Sequence, residues 1–417
     1  MNSFMEQLRD LALLWLFFAA CQSALARESV VIEVAAGQHD RENVPIFVSL
    51  PPTMRDAAAL SLTQVGGKEV AVQILPAEEP QAVWLLRQRL PAGEKRRYRL
   101  EATDAIARTR PLVTCVDTGD ELLLSVNNKQ VLKYQHAVKE PPEGVEPVYR
   151  RSGYIHPVFT PAGHVITDDF PPDEPHQHGI FFAWVNTTVS GHNVNFWDPK
   201  AGTGQIRHSA IERIGEGDVF AEFRVKLLHL DTTNPEAAQP VFNETWTVRA
   251  FNLDRQFLVD FESVQTCVAD SCTVNMHHYG GTAFRGLRSW FDDKSVVLVT
   301  SEGKDQQTGN GSRPKWVRMS GPVQSGAGHE NKLATLLVMG DPSNFRADQP
   351  VRLHPDKPYF CFAPMMTGPF SIAGQQTFVS RYRFLIFDDD NRAESNQHVW
   401  TDYAEPPDVL TLRFDDR

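Results

Sequence analysis

The chain is poor in several features that usually announce a function. Of its 417 residues only five are cysteines, and no Cys-x-x-Cys pair occurs, so a cysteine-built zinc site has no basis. No Gly-x-Ser-x-Gly elbow is present and no cysteine lies beside a candidate base, which removes the common serine and cysteine nucleophile arrangements. Phosphate loops and dinucleotide fingerprints are missing. There is no basic block and the formal net charge is −11, which argues against a nucleic-acid partner. No stretch stays apolar for the ~20 residues a membrane helix needs. Helical periodicity is scarce throughout.

At the N-terminus, Leu11 to Ala20 is an apolar run too short to cross a bilayer core of ~30 Å. Ala24-Leu25-Ala26 follows as a small-x-small cleavage site. Residues 1–26 are therefore expected to be a signal peptide, and the protein to be exported, periplasmic or secreted. Lipid attachment at Cys21 is the lesser reading, because Phe18 stands three positions before the cysteine where Leu is usual. Cys267 and Cys272 flank Val268-Ala269-Asp270-Ser271, a plausible hairpin turn. In an oxidising compartment they could form a disulfide across it, or they remain two free thiols.

Strand alternation is common. Phe223, Val225 and Leu227 alternate with Glu222, Arg224 and Lys226, and Tyr382, Phe384 and Ile386 alternate with Arg381, Arg383 and Leu385. Turn signals such as Asp341-Pro342-Ser343-Asn344 and Thr367-Gly368-Pro369 punctuate these runs. The pattern predicts an all-β, antiparallel sandwich protein. A small N-terminal β domain is expected over 27–105 and a large β domain over 106–390. Residues 391–417 are expected to be a polar C-terminal extension, as a peripheral cover or helix.

Several segments stand in a telling order. Tyr154-Ile155-His156-Pro157-Val158-Phe159-Thr160-Pro161-Ala162-Gly163 is followed by the run from Asp173 to Trp184, then by Gly191-His192-Asn193-Val194-Asn195-Phe196-Trp197. His278-Tyr279-Gly280-Gly281 and Asp341-Pro342-Ser343-Asn344 come later. Together they resemble the exported bacterial family labelled "methane oxygenase PmoA-like", also held as a family of unknown function, over roughly residues 30–388. The family pattern runs Asp-His-Pro-His-His-Arg-Gly. Here it reads Asp173-Glu174-Pro175-His176-Gln177-His178-Gly179, so only Asp173, Pro175, His176 and Gly179 match. The resemblance implies a galactose-mutarotase-like supersandwich and a setting in sugar metabolism. The family label implies a metal-dependent oxygenase as an alternative.

The candidate site residues follow from residue chemistry. In extended backbone His176 and His178 share a face and could serve in proton transfer, ligand binding or a metal site. Otherwise one caps the turn before it and the other is solvated. Glu244, in Phe242-Asn243-Glu244-Thr245-Trp246, falls on the apolar face of its strand, where a raised pKa would suit a general acid or base. His277 and His278 are read as opposite faces of one strand, so that only one joins an inward site. His156 could line the site. Trp184, Phe196 and Trp197 could stack on sugar faces, and Arg285 or Arg288 could bind a carboxylate such as that of a uronic acid.

The leading expectation is an exported protein that binds or processes carbohydrate, as an epimerase, lyase or hydrolase if it is catalytic. His176, Glu244 and His277 would be catalytic. His156, His178, Trp184, Trp197, His278 and Arg285 would bind substrate. No cofactor is expected, with a metal at His176-x-His178 the competing chemistry, and a non-catalytic binding module is the third reading.

Overall fold

The computed structural model describes residues 29–104, 110–234, 236–324, 331–389 and 393–412. The expected signal peptide and Cys21 lie outside them. By contact the chain divides into two compact units, Met1–Ala107 with Pro407–Arg417, and Arg108–Pro406.

In the first unit Ser29–Ala35 lies between Lys95–Thr103 and Asp408–Leu412 in a five-stranded sheet. Val44–Ser49, Gln81–Leu86 and Val72–Leu75 form a three-stranded sheet. Period-two alternation sends Tyr98 and Leu100 inward and leaves Arg97 and Arg99 exposed. Ile32, Val34, Ile46, Trp84, Tyr98 and Leu100 belong to one buried cluster.

The second unit holds two eight-stranded sheets and a four-stranded one. One large sheet carries Tyr154–Val158, Ile180–Ala183 and Gly281–Arg285 side by side with Tyr359–Phe362. The other runs through Gly204–Gly215, Phe220–Asp231, Gln239–Phe251, Phe257–Cys267 and Thr377–Asp388. Rings from the two sheets meet in a shared core: Tyr134 packs on Phe223 and Trp246, Phe284 on Phe384, and Phe362 on Tyr382. The pairing is antiparallel throughout, and the fold is the all-β sandwich that the alternation predicts.

Over the described residues 393–412 the chain forms a helix and then a strand. Ala393–Ala404 is a helix whose Asn396 and Trp400, one turn apart, are both buried. The Trp400 indole donates to the Gly340 carbonyl at 3.2 Å. Asp408–Leu412 then pairs with Ser29–Ala35. No helix of the described residues is long and apolar enough to cross a membrane.

Between Tyr154–Val158 and Ile180–Ala183 the chain makes an excursion over 159–179 before returning to the neighbouring strand. Gly179 permits the return. A Cβ there would stand 2.4 Å from the Ile155 carbonyl oxygen and 3.0 Å from the Thr167 Cβ.

Candidate functional site

The excursion is clamped by ion pairs. Asp173 accepts from both terminal nitrogens of Arg285, at 3.1 and 2.8 Å, and Gln177 accepts from Arg285 at 3.1 Å. Lys357 bonds to Glu174 at 2.6 Å and lies 3.2 Å from Asp173. Arg288 forks onto Asp168 at 3.1 Å on each arm. Arg285 and Arg288 therefore hold the excursion in place, and the expected carboxylate-binding role of Arg285 does not fit, because both its terminal nitrogens are already taken by Asp173 and Gln177 and only Nε is left without a partner.

That clamp sets His178. Its Nδ1–H donates to Asp169 Oδ1 at 2.5 Å, and the Tyr154 hydroxyl donates to Asp169 Oδ2 at 2.8 Å. The ring is wholly buried, between Tyr154 at 4.3 Å and Phe170 at 4.8 Å, so the solvated alternative for His178 is overturned. Phe170 holds a left-handed φ of 47°, a strained state for a bulky residue. Burial pulls the His178 pKa down to about 4 against the opposing pull of Asp169. Burial alone would raise the Asp169 pKa, but the hydrogen bonds it accepts from His178 and Tyr154 help to leave it lowered. At neutral pH the pair is thus a carboxylate bonded to a neutral imidazole whose Nε2 lone pair is free. That Nε2 is buried and has no hydrogen-bond partner.

Arg151 is the central residue that sequence reasoning missed. It is only 7% exposed, and its Nε and Nη2 have no partner. Its guanidinium stands 5.3 Å from the centre of the Phe181 ring, on which His178 also packs edge-on. Burial lowers its pKa to about 10, opposed by the fields of Tyr154, Glu244 and Asp169, so it stays charged at neutral pH. The same cation acts on His176 and on His178. In sequence it is the second of two arginines beside a short turn, and nothing in that context marks it as buried.

His176 lies at the outer edge of this centre. Its Nδ1 is 3.7 Å from Glu174 and its ring packs near Trp197, and burial lowers its pKa against the charges of Asp198 and Glu174. Trp197 also touches Phe181 and Tyr279. His277 and His278 join the periphery through Tyr279, with ring centroids at 4.3 and 4.7 Å. They do not occupy opposite faces of a strand. The strand ends at Val274, and the two imidazoles stack on each other at 4.6 Å. His277 Nδ1 is occupied by the Tyr279 backbone.

Glu244 is buried as its strand period predicts, but both its oxygens are engaged by neighbouring side chains, while Nδ1 of the histidine among them, His229, is left without a partner. Oε2 meets His229 Nε2 at 2.7 Å, and Oε1 accepts from Ser263 at 2.5 Å and Gln265 at 3.0 Å. Burial pushes its pKa up, yet His229, Ser263 and Gln265 outweigh that and leave it lowered, the reverse of the expected direction. No hydrogen bond or ion pair among the described residues joins Glu244 to His176. Trp184 is core: its indole donates to Gln265 at 2.7 Å, and its ring packs on Phe182 and Phe378.

His156 bonds to Thr167 at 3.0 Å and lines a cleft of about 360 Å³ with Asp169, Phe170, Gln135, Glu121 and Lys139. The cleft reaches the Asp169 side of the pair. Among the described residues no three His, Cys, Asp or Glu side chains group as a metal-ligand set.

A sequence model described as "Family of unknown function (DUF6807)" matches residues 121–401, and the chain belongs to that family. No curated protein matches it. A glycosyl hydrolase family 38 protein from Enterococcus faecalis is similar over 92% of this chain, at 10% identity and a TM-score of 0.40. An alpha-mannosidase from Enterococcus faecalis V583 is similar over 92% as well, at 12% identity and a TM-score of 0.42. The chain spans about half the length of each, 47% and 46%. A galactose mutarotase related enzyme from Lactobacillus acidophilus is matched over 99% of its length by 67% of this chain, at 9% identity and a TM-score of 0.28. At these identities and scores none of them bears on the site or its ligand.

Proposed function

We propose that this member of the DUF6807 family binds a hydroxyl-rich small molecule, a carbohydrate, at the Asp169–His178 pair and moves a proton there. The observation that carries the reading is His178 Nε2, buried and without a protein partner. An acceptor left unmade in that way costs ~1–3 kcal/mol, and a ligand hydroxyl supplies the missing donor. Phe181 packs on the His178 ring and continues through Trp197 to Tyr279, an aromatic group suited to line the C–H face of a sugar.

In this reading Asp169 fixes the tautomer by taking Nδ1–H, and Tyr154 fills its second oxygen. A ligand hydroxyl donates to Nε2. As its proton moves across, Asp169 stabilises the imidazolium and Arg151 meets the charge growing on the ligand oxygen. Ring opening at an anomeric hydroxyl begins with such a transfer. His176, between Glu174 and Asp198, is the second group able to carry a proton. Glu244 is not the base, because both its oxygens are engaged. It shapes the field around Arg151 instead.

Proton NMR of the purified chain with a panel of reducing sugars tests this, by following saturation transfer and anomer exchange together. At least one sugar is expected to bind and exchange faster, and His178→Gln to lower that rate by ~100-fold or more. If no sugar in the panel either binds or exchanges, the reading fails. Binding without turnover is a second reading, favoured by the pKa of about 4, which suits a fixed acceptor better than a proton carrier. Saturation transfer at an uncatalysed exchange rate would select it.

A further inference from the structure

We propose that the Nε–Nη2 edge of Arg151 is a carboxylate subsite, so that the ligand of this site is an acidic sugar, a uronate or aldonate, rather than a neutral one. The assignment rests on the reading of His178 as a hydroxyl acceptor.

The Nε–H and Nη2–H of a guanidinium lie on the same edge and point the same way, a fork that fits the two oxygens of a carboxylate. In Arg151 these are the two nitrogens without a partner. The nearby carboxylates do not fill the fork. Glu244 is committed to His229, Ser263 and Gln265, and Asp169 to His178 and Tyr154. A buried cation with no bonded counter-ion is costly, and arginine is rarely so buried unless paired. An ionised partner recovers more of that cost than a neutral diol, because charge-assisted bonds are roughly twice as strong.

The second half of the recognition is His178. Its Nε2 has no partner, and its ring packs edge-on to the Phe181 ring that also lies under Arg151. A ligand carrying a carboxylate and a hydroxyl on one face satisfies all three orphaned nitrogens, two donors and one acceptor. The more obvious carboxylate binders, Arg285 and Arg288, are already forked onto Asp173 and Asp168.

Calorimetric titration of the full chain with D-glucuronate and D-galacturonate, against D-glucose and D-galactose, tests the assignment. The uronates are expected to bind at least about tenfold more tightly than their neutral counterparts. Arg151→Gln should abolish that preference, bringing uronate affinity down to that of the neutral sugars, while His178→Gln should weaken both classes. If Arg151→Gln does not fold by circular dichroism, Arg151→Lys keeps the charge, lacks the fork, and should lose the preference in the same way. Equal binding of both classes, or a uronate preference that survives loss of the fork, overturns the carboxylate subsite and leaves the hydroxyl reading standing. Failure of all four sugars to bind overturns both.

Discussion

Asp169 and His178, nine residues apart in the chain, are joined by a 2.5 Å bond from imidazole Nδ1–H to carboxylate Oδ1. The carboxylate is ionised and the imidazole neutral, so this is a charge-assisted hydrogen bond rather than an ion pair. It turns Nε2 into an acceptor with nothing of the protein to accept from.

The first consequence is a stability that depends on pH. Unfolded, His178 takes up a proton near its ordinary 6.5; folded, it does so only near 4. Between these values the unfolded state holds more protons, so stability rises with pH. The contribution is complete above about pH 6.5 and is lost as pH falls toward 4, and it amounts to up to about 3 kcal/mol. His208 and His354, also near 4 but only partly buried, add smaller contributions of the same sign. Melting temperature measured from pH 7 to 4 should fall, and less steeply in His178→Gln. An unchanged slope in the variant would refute the assignment.

Glu244→Gln should destabilise the protein chiefly through its fold. The exchange removes a buried carboxylate that three side chains address, and breaking such a set costs ~3–5 kcal/mol. Denaturant melts should show the loss with or without ligand. Full stability combined with lost sugar turnover would return Glu244 to a catalytic role.

Gly179→Ala is expected to cost ~1–3 kcal/mol, since overpacking displaces neighbours and here the nearest atom is backbone. Because Gly179 adjoins His178, weaker ligand binding should accompany the lower melting point. A variant as stable as the parent would show that the excursion can shift to make room.

Cys267 Sγ and Cys272 Sγ lie 3.0 Å apart, both buried and both thiols. Mild oxidation should close them into a disulfide, read as the loss of two hydrogens in intact mass. It should add ~2 kcal/mol of stability from the short loop. Cys115 and Cys361 should stay reactive to alkylation only after unfolding, because burial raises both thiols, to about 12 and about 11. No mass change under oxidant would show that the hairpin holds the sulfurs apart.

Much of the fold was legible because strand period is local. Leu227, Glu244 and Trp246 face inward as their alternation requires. The chemistry around them was not, because it comes from neighbouring strands. Gln265 stands directly opposite Glu244, and His229 opposite Phe242, so the sign of the Glu244 shift depended on a register that one strand does not encode. At His277 and His278 the period was carried past the end of the strand. His176 and His178 were visible as a motif. Asp169 was hidden in an Asp168-Asp169 pair whose two members serve Arg288 and His178 separately.

The pairing of Asp408–Leu412 with Ser29–Ala35 has a consequence for synthesis. The strand Ser29–Ala35 is translated well before Asp408–Leu412, the neighbour that covers one of its edges. All the while residues 104–407 are being added, that edge offers unpaired backbone groups to any passing strand. Over that interval the ion-paired charges of Glu33, Lys95 and Arg97 on that sheet disfavour its pairing with a wrong strand.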